Sequence, residues 1–237
     1  MKLAAAGLSD VGQERDHNED SYAVEEALGL FIVADGMGGH LAGEVASAMA
    51  IACVVEHLTQ HSGGDRVALL AEATRLANTR VIEEGQRNRK RRGMGSTFVA
   101  LVRDGDDAGI VHVGDSRCYR YRHTVLERLT RDHSLIEEYA GDDPIARAAL
   151  GNYSNMITRA IGTGAEVEPE VRRDRMQPGD IYLLCSDGLC GVVKDSEVAA
   201  VLGRGNDLPD RARDLVRIAN EHGGPDNISV VLVRVDP

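Results

Sequence analysis

Five aspartates stand at the ends of short runs rich in Val and Ile, and this arrangement limits the possible folds more than any other feature of the sequence. Asp35 directly follows Leu30-Phe31-Ile32-Val33-Ala34, and Asp115 follows Ile110-Val111-His112-Val113-Gly114. Asp187 follows Ile181-Tyr182-Leu183-Leu184-Cys185-Ser186, Asp226 precedes the final run, and Asp20 precedes Ser21-Tyr22-Ala23-Val24. Short β-branched runs bounded by Gly or Asp read as strands, and Phe98 to Val102 is a further run of this kind. The last, Ile228 to Val235, is apolar on both faces until Arg234, which places it centrally with cover on each side.

One aspartate after a strand is ordinary turn chemistry. Five, with Gly beside Asp35, Asp115 and Asp187, imply strand ends that converge. Two carboxylates ~4 Å apart repel by about 4 kcal/mol at an effective dielectric near 20, so several pairs require protonation or a divalent cation. An all-oxygen donor set selects Mg²⁺ or Mn²⁺ over Zn²⁺. Gly36 lets a backbone carbonyl approach such an ion. A carboxylate that bridges two ions suits in-line attack of water on phosphorus. Arg15, five residues before Asp20, offers a planar two-point grip on a tetrahedral oxyanion. The four cysteines, Cys53, Cys118, Cys185 and Cys190, follow no metal-ligand spacing and read as small buried hydrophobes in a reducing compartment.

Between the strands, apolar residues recur at helical spacing over 40–58, 66–84 and 209–221, the last with Pro209 at its start. Strands cluster around helix pairs instead of alternating with them, which favours an α+β layered fold over a doubly wound sheet. Arg117 to Leu129 alternates weakly, as a hairpin does, and Ile145 to Leu150 suits a short helix. No repeat or linker divides the 237 residues, so one domain is expected.

The net charge is −11, from 27 Lys+Arg against 38 Asp+Glu, which disfavours a nucleic-acid partner. No window approaches the ~18 apolar residues of a membrane span, and Leu3 to Leu8 is too short for a secretory leader. The expectation is a cytoplasmic protein, monomeric and without a membrane partner. Against the acidic background, Arg87-Asn88-Arg89-Lys90-Arg91-Arg92 carries five positive charges in six residues. It reads as a solvated loop or as a docking patch for acidic phosphopeptides or a kinase.

Ordered along the chain stand Asn18-Glu19-Asp20, Asp35-Gly36-Met37-Gly38-Gly39-His40, Gly95-Ser96-Thr97, Gly114-Asp115-Ser116-Arg117, Ser186-Asp187-Gly188-Leu189 and Asp226-Asn227. This series resembles the PP2C (PPM) family of metal-dependent protein serine/threonine phosphatases, and its Met-Gly-Gly-His form resembles the compact bacterial members. The resemblance implies a four-layer αββα sandwich, two antiparallel β-sheets flanked by helix pairs, with a flap over about 136–158. It also implies two core Mn²⁺ or Mg²⁺ ions and a possible third. By the same resemblance Asp35 bridges the core ions, Gly36 ligates through its carbonyl, and Asp187 and Asp226 complete one shell. Asp20 holds the other ion partly through water, Asp115 with Asp187 holds the third, and Arg15 grips the substrate phosphate. Eukaryotic members place a proton-donating His directly after Asp-Gly. Here Met37 stands in that position, and the candidate substitutes are His40 and a metal-bound water near Asp115. The implied activity is hydrolysis of phosphoserine and phosphothreonine in proteins, opposing a bacterial Ser/Thr kinase. A non-catalytic metal-loaded module and a hydrolase of small phosphoesters are the other readings.

Overall fold

The computed structural model describes residues 1–38, 41–61, 63–141, 143–153 and 156–237. In chain order its strands are β1 (Lys2–Asp10), β2 (Asp20–Glu25), β3 (Leu30–Met37), β4 (Gly95–Ser96), β5 (Phe98–Asp104), β6 (Asp107–Val113), β7 (Arg117–Arg122), β8 (Val125–Arg128), β9 (Glu170–Arg175), β10 (Ile181–Cys185) and β11 (Ile228–Asp236). The helices are α1 (Leu41–Gln60), α2 (Arg66–Arg87), α3 (Leu135–Tyr139), α4 (Pro144–Ala149), α5 (Asp187–Cys190), α6 (Asp195–Leu202) and α7 (Leu208–Glu221). One sheet has the order β1-β11-β10-β7-β8 and the other β2-β3-β5-β6-β9, with β4 paired to β3. All pairings are antiparallel.

The period-two geometry of a strand explains why its runs are apolar on both faces. On β3, Leu30, Ile32 and Ala34 face the α1/α2 layer, while Phe31 and Val33 point into the space between the sheets. On β11, Val230 and Leu232 face α7, and Val231 and Val233 meet Phe31 and Leu101 across the sandwich. Three cores result: helices on the first sheet, sheet on sheet, and helices on the second sheet. This is the expected α+β sandwich of two antiparallel sheets with helices outside. Each such fully buried side chain contributes about 1.5–3 kcal/mol over its exposed state.

Helix ends are set locally. The Asp65 carboxylate accepts from the Val67 and Ala68 amides, both at 3.0 Å, and so starts α2. Asp207 does the same for α7 through the Asp210 amide at 2.9 Å. The stretch Ala42–Gln60 of α1 is long and apolar enough to cross a bilayer, with a mean hydropathy of 1.2. That corrects the expectation that no window approaches this length, although half of the stretch is buried here. Its cover is β2, β3 and α2.

Three elements depart from the sequence-based expectation. The N-terminal residues form β1, paired along its whole length with β11. Glu170–Arg175 forms edge strand β9 despite its charges, because only Asp174 is buried there. Asp35 lies within β3 instead of after it, opposite Asp20 in the β2–β3 register.

Candidate metal centre

The sandwich brings one end of β2, β3, β6, β10 and β11 to a single cleft of about 520 Å³. Asp35, Asp115, Asp187, Asp226 and the Gly36 backbone line it, Arg15 stands on its wall, and Asp20 is buried opposite Asp35. All seven of these residues, placed from separate parts of the sequence, are therefore together. His40, the candidate proton donor, lies outside the described residues.

Neighbouring side chains fix Asp35, Asp20 and the Asp115 turn, and two of these neighbours, Thr97 and Asn227, also line the cleft. The Asp35 amide donates to Thr97 Oγ1 at 3.0 Å, and the Asp35 carbonyl accepts from the Thr97 amide at 2.8 Å and from Ser96 Oγ at 3.0 Å. Thr97 Oγ1 lies 2.7 Å from Ser116 Oγ, so the residues flanking Asp35 and Asp115 are tied together. His133 fastens the other side of the Asp115 turn. The Gly114 amide donates to His133 Nδ1 at 3.1 Å, and the His133 amide donates to the Gly114 carbonyl at 3.0 Å. Ser186 Oγ donates to Asp20 Oδ2 at 2.7 Å and accepts from the Ser229 amide at 2.9 Å. Asn227 pins the Arg15-bearing loop: its Oδ1 accepts from the Glu19 amide at 2.8 Å, and its Nδ2 donates to the Val11 and His17 carbonyls at 2.9 Å.

Close backbone approach makes glycine necessary at two of these places. A Cβ on Gly36 would fall 2.1 Å from the Gly43 carbonyl oxygen, and one on Gly188 would fall 2.0 Å from that of Asn227.

The electrostatics follow from burial without cations. Burial pushes the Asp20 carboxyl up to about 7, against the hydrogen bonds from Ser186 and Ser229, and the charges of Asp187 and Asp226 add to the rise. Asp115 is likewise pushed up to about 7, by burial first and then by Asp187 and Asp132. Asp35 stands well above the usual carboxylate range, through burial and the charges of Asp20, Asp187, Asp115 and Asp226. Asp187 is raised by burial and by Asp226. Arg15 Nη2 donates to Asp226 Oδ2 at 2.7 Å, but half of its side chain is solvent-exposed, so the positive charge sits at the rim.

Two carboxylate oxygens, Asp20 Oδ1 and Asp187 Oδ1, are buried and lack any hydrogen-bond partner. Unpaired buried acceptors are rare and costly. Here they belong to a set of convergent carboxylates with no thiol among the lining residues, which is the donor chemistry of a hard divalent ion. The residues therefore fit Mg²⁺ or Mn²⁺.

The motif reading missed the clamps. Thr97, Ser116, Ser186 and Asn227 all lie inside the motif strings, so the signal was adjacency to an acid, although no role attached to it. His17, one residue before Asn18, also lines the cleft and supplies an imidazole on its wall.

The protein phosphatase 2C family matches residues 12–229 of the chain. The serine/threonine protein phosphatase PstP of Mycobacterium tuberculosis is 37% identical over 237 residues, and the chain spans only 45% of that protein's length. The serine/threonine phosphatase stp of Listeria monocytogenes is 35% identical over 96% of this chain and 94% of its own. Among solved structures, that of M. tuberculosis PstP/Ppp superposes with a TM-score of 0.91 at 36% identity, covering 100% of both chains. The PstP catalytic domain in complex with two manganese ions gives 0.88 at 36% identity over 99% of each chain. With clefts, clamps and sheet order in place over the matched span, the chain belongs to the protein phosphatase 2C family.

Proposed function

We propose that the chain is a metal-dependent phosphatase that hydrolyses phosphoserine and phosphothreonine in proteins, within one catalytic domain bearing a flap over about 136–158. The observation that carries this reading is the convergence of Asp20, Asp35, Asp115, Asp187 and Asp226 on one cleft with two orphaned carboxylate oxygens and an arginine at the rim. Asp35, in register with Asp20 and facing Asp187, is the position from which one carboxylate can serve two ions. Asp187 and Asp226 would share one ion with it, the Gly36 carbonyl and Asp20 the other, and Asp115 with Asp187 a third. When bound, Mn²⁺ or Mg²⁺ would supply Lewis acidity and an acidified water.

The chain's own residues do the remaining work. Arg15, free to pivot at the rim, would exchange its contact with Asp226 for a two-point grip on the phosphate and hold the ester in line. Met37 lines the cleft and carries no proton to give. Protonation of the departing alkoxide falls to an imidazole, for which His40 is the candidate from sequence and His17 the one on the cleft wall. Relatives named as serine/threonine phosphatases support a phosphoprotein substrate; a Ser/Thr kinase as counterpart, acting on the same proteins in the cytoplasm, belongs to the same reading. The reading also has the chain act as a monomer.

Turnover of a phosphothreonine peptide, with p-nitrophenyl phosphate and a nucleotide assayed beside it, tests the proposal. Activity should require added Mn²⁺ or Mg²⁺, vanish with chelator and return on metal readdition. Undiminished turnover in chelator would refute it, and preference for the nucleotide would move the substrate class.

A further inference from the structure

The basic stretch at the end of α2 resolves into two populations. Arg87 pairs with Glu83 at 3.2 Å and Arg91 with Glu84, so both charges are already answered. Arg89, Lys90 and Arg92 are exposed, and among the described residues their side chains have no acidic or carbonyl partner. Every other arginine among the described residues has one, whether a carboxylate or a backbone carbonyl. On a chain of net charge −11, two unanswered guanidinium groups side by side are unexpected.

They also share a cavity. Arg89 and Arg92 line a pocket of about 430 Å³ whose floor is Val81, Gly85, Met94 and Gly162. Asn88 fixes the turn that presents them, its Oδ1 accepting from the Lys90 amide at 3.1 Å. The pocket is one backbone thickness from the catalytic cleft. Gly38 lines the cleft, and a Cβ on it would fall 3.0 Å from Met94 Cα and 3.6 Å from the Gly93 carbonyl oxygen. β4 continues the connection, with Gly95 opposite Met37. Among the described residues no aromatic side chain lines the pocket, so they offer nothing for a nucleobase to stack on. Two guanidinium forks match a phosphate dianion better than a single carboxylate, because each fork can take two oxygens.

We propose that this pocket binds a second phosphorylated side chain of the protein substrate, beside the residue being dephosphorylated. The inference rests on the phosphoprotein reading above and names its preferred substrate class: segments phosphorylated at two nearby positions. Arg89 and Arg92 take up the flanking phosphate, and the apolar floor accepts the stem of the residue that carries it. Nothing here takes part in the bond cleavage, so the effect falls on KM.

The test uses phosphothreonine peptides carrying a non-hydrolysable phosphonate two to six residues to either side, assayed by phosphate release with Mn²⁺. At one spacing the phosphonate should lower KM about 10-fold against an alanine control, with kcat unchanged, as two charge-assisted contacts would. The Arg89→Glu/Arg92→Glu variant should erase that gain while leaving p-nitrophenyl phosphate and the control peptide unaffected. Both residues are exposed, and circular dichroism would check that the variant folds. No gain at any spacing, or a gain that survives the double substitution, overturns the inference. An aspartate that matches the phosphonate overturns the assignment to phosphate. Failure to hydrolyse any of the substrates would instead strike the catalytic reading itself.

Discussion

Strand β10 has an aspartate close to each of its ends, Asp180 wholly buried and Asp187 with one buried oxygen, and the two are treated in opposite ways. Asp180, directly before the strand and 1% exposed, accepts two hydrogen bonds from Arg122, both at 2.7 Å, and one from the Gln177 amide at 2.7 Å. Nearby Asp174 accepts from Arg120 at 2.5 Å and from the Tyr182 hydroxyl at 2.6 Å. At the other end Asp187 has an oxygen with no partner, and the carboxylates beside it are Asp35, Asp115 and Asp226. The same chain therefore answers a buried acid with two arginine hydrogen bonds at one end of the sandwich, and at the other gathers acids with two unpartnered oxygens and a half-exposed arginine on Asp226. Sequence supply does not explain this, since most arginines are spent on exposed pairs worth at most about 1 kcal/mol each. The unanswered end is where a divalent cation belongs.

Asp35→Asn tests the contrast between the two ends most severely. Amide for carboxylate keeps the shape and the backbone contacts to Thr97 and Ser96, which involve no side-chain oxygen of Asp35. Hydrolysis of a phosphothreonine peptide should fall by roughly 10³-fold or more, as when a preorganised electrostatic contact is lost. In chelator the same variant should unfold at higher urea than the parent, because one repelling carboxylate has gone. Retained activity would end the bridging role of Asp35, and a loss of chelated stability would end the claim that repulsion strains this end.

The opposite end predicts the opposite sign. Arg122→Met keeps much of the aliphatic volume but strands Asp180 as a buried charge, and should cost about 3–5 kcal/mol of stability. Urea unfolding measures it, while kcat of the folded enzyme at saturating Mn²⁺ should be nearly unchanged. A loss below ~1 kcal/mol would mean that arginine at this end is as dispensable as on the surface.

Much of this contrast was legible in the sequence at the cleft and almost none of it at the other end. The five aspartates were visible because each lies against an apolar run, and strand geometry then forces convergence once the sheets stack. The Arg122–Asp180 pair joins residues 58 apart with no motif between them, so only the fold reveals it. β9 was missed for the related reason that an edge strand pairs its backbone and can leave its charged side chains in water. β1 was missed because Ala and Gly dilute its pattern, although full pairing with β11 fixes it. The hairpin between β7 and β8 carried no turn signal, because His123 and Thr124 take its left-handed turn positions, at φ 48° and 68°, in place of Asn or Gly.

The smallest expected effect is also the one that separates the two ends by sign of slope. In metal-free protein Asp20 and Asp115 have folded-state pKa values of about 7, whereas the same groups in the unfolded chain titrate near 3.8. Between those values the folded state holds protons that the unfolded state has lost. The linkage slope is then negative, and stability in chelator should fall as pH rises from about 4 to 7, by on the order of 1 kcal/mol per pH unit for fully buried Asp20 and less for Asp115. With saturating Mn²⁺ the dependence should reverse over the same range, because ligation takes the carboxylates in their ionised form. Urea midpoints at pH 5 and pH 7, with and without metal, should therefore cross. Curves that stay parallel would mean that the acids at the cleft are satisfied by the protein alone, as Asp180 is, and the distinction between the two ends of β10 would disappear.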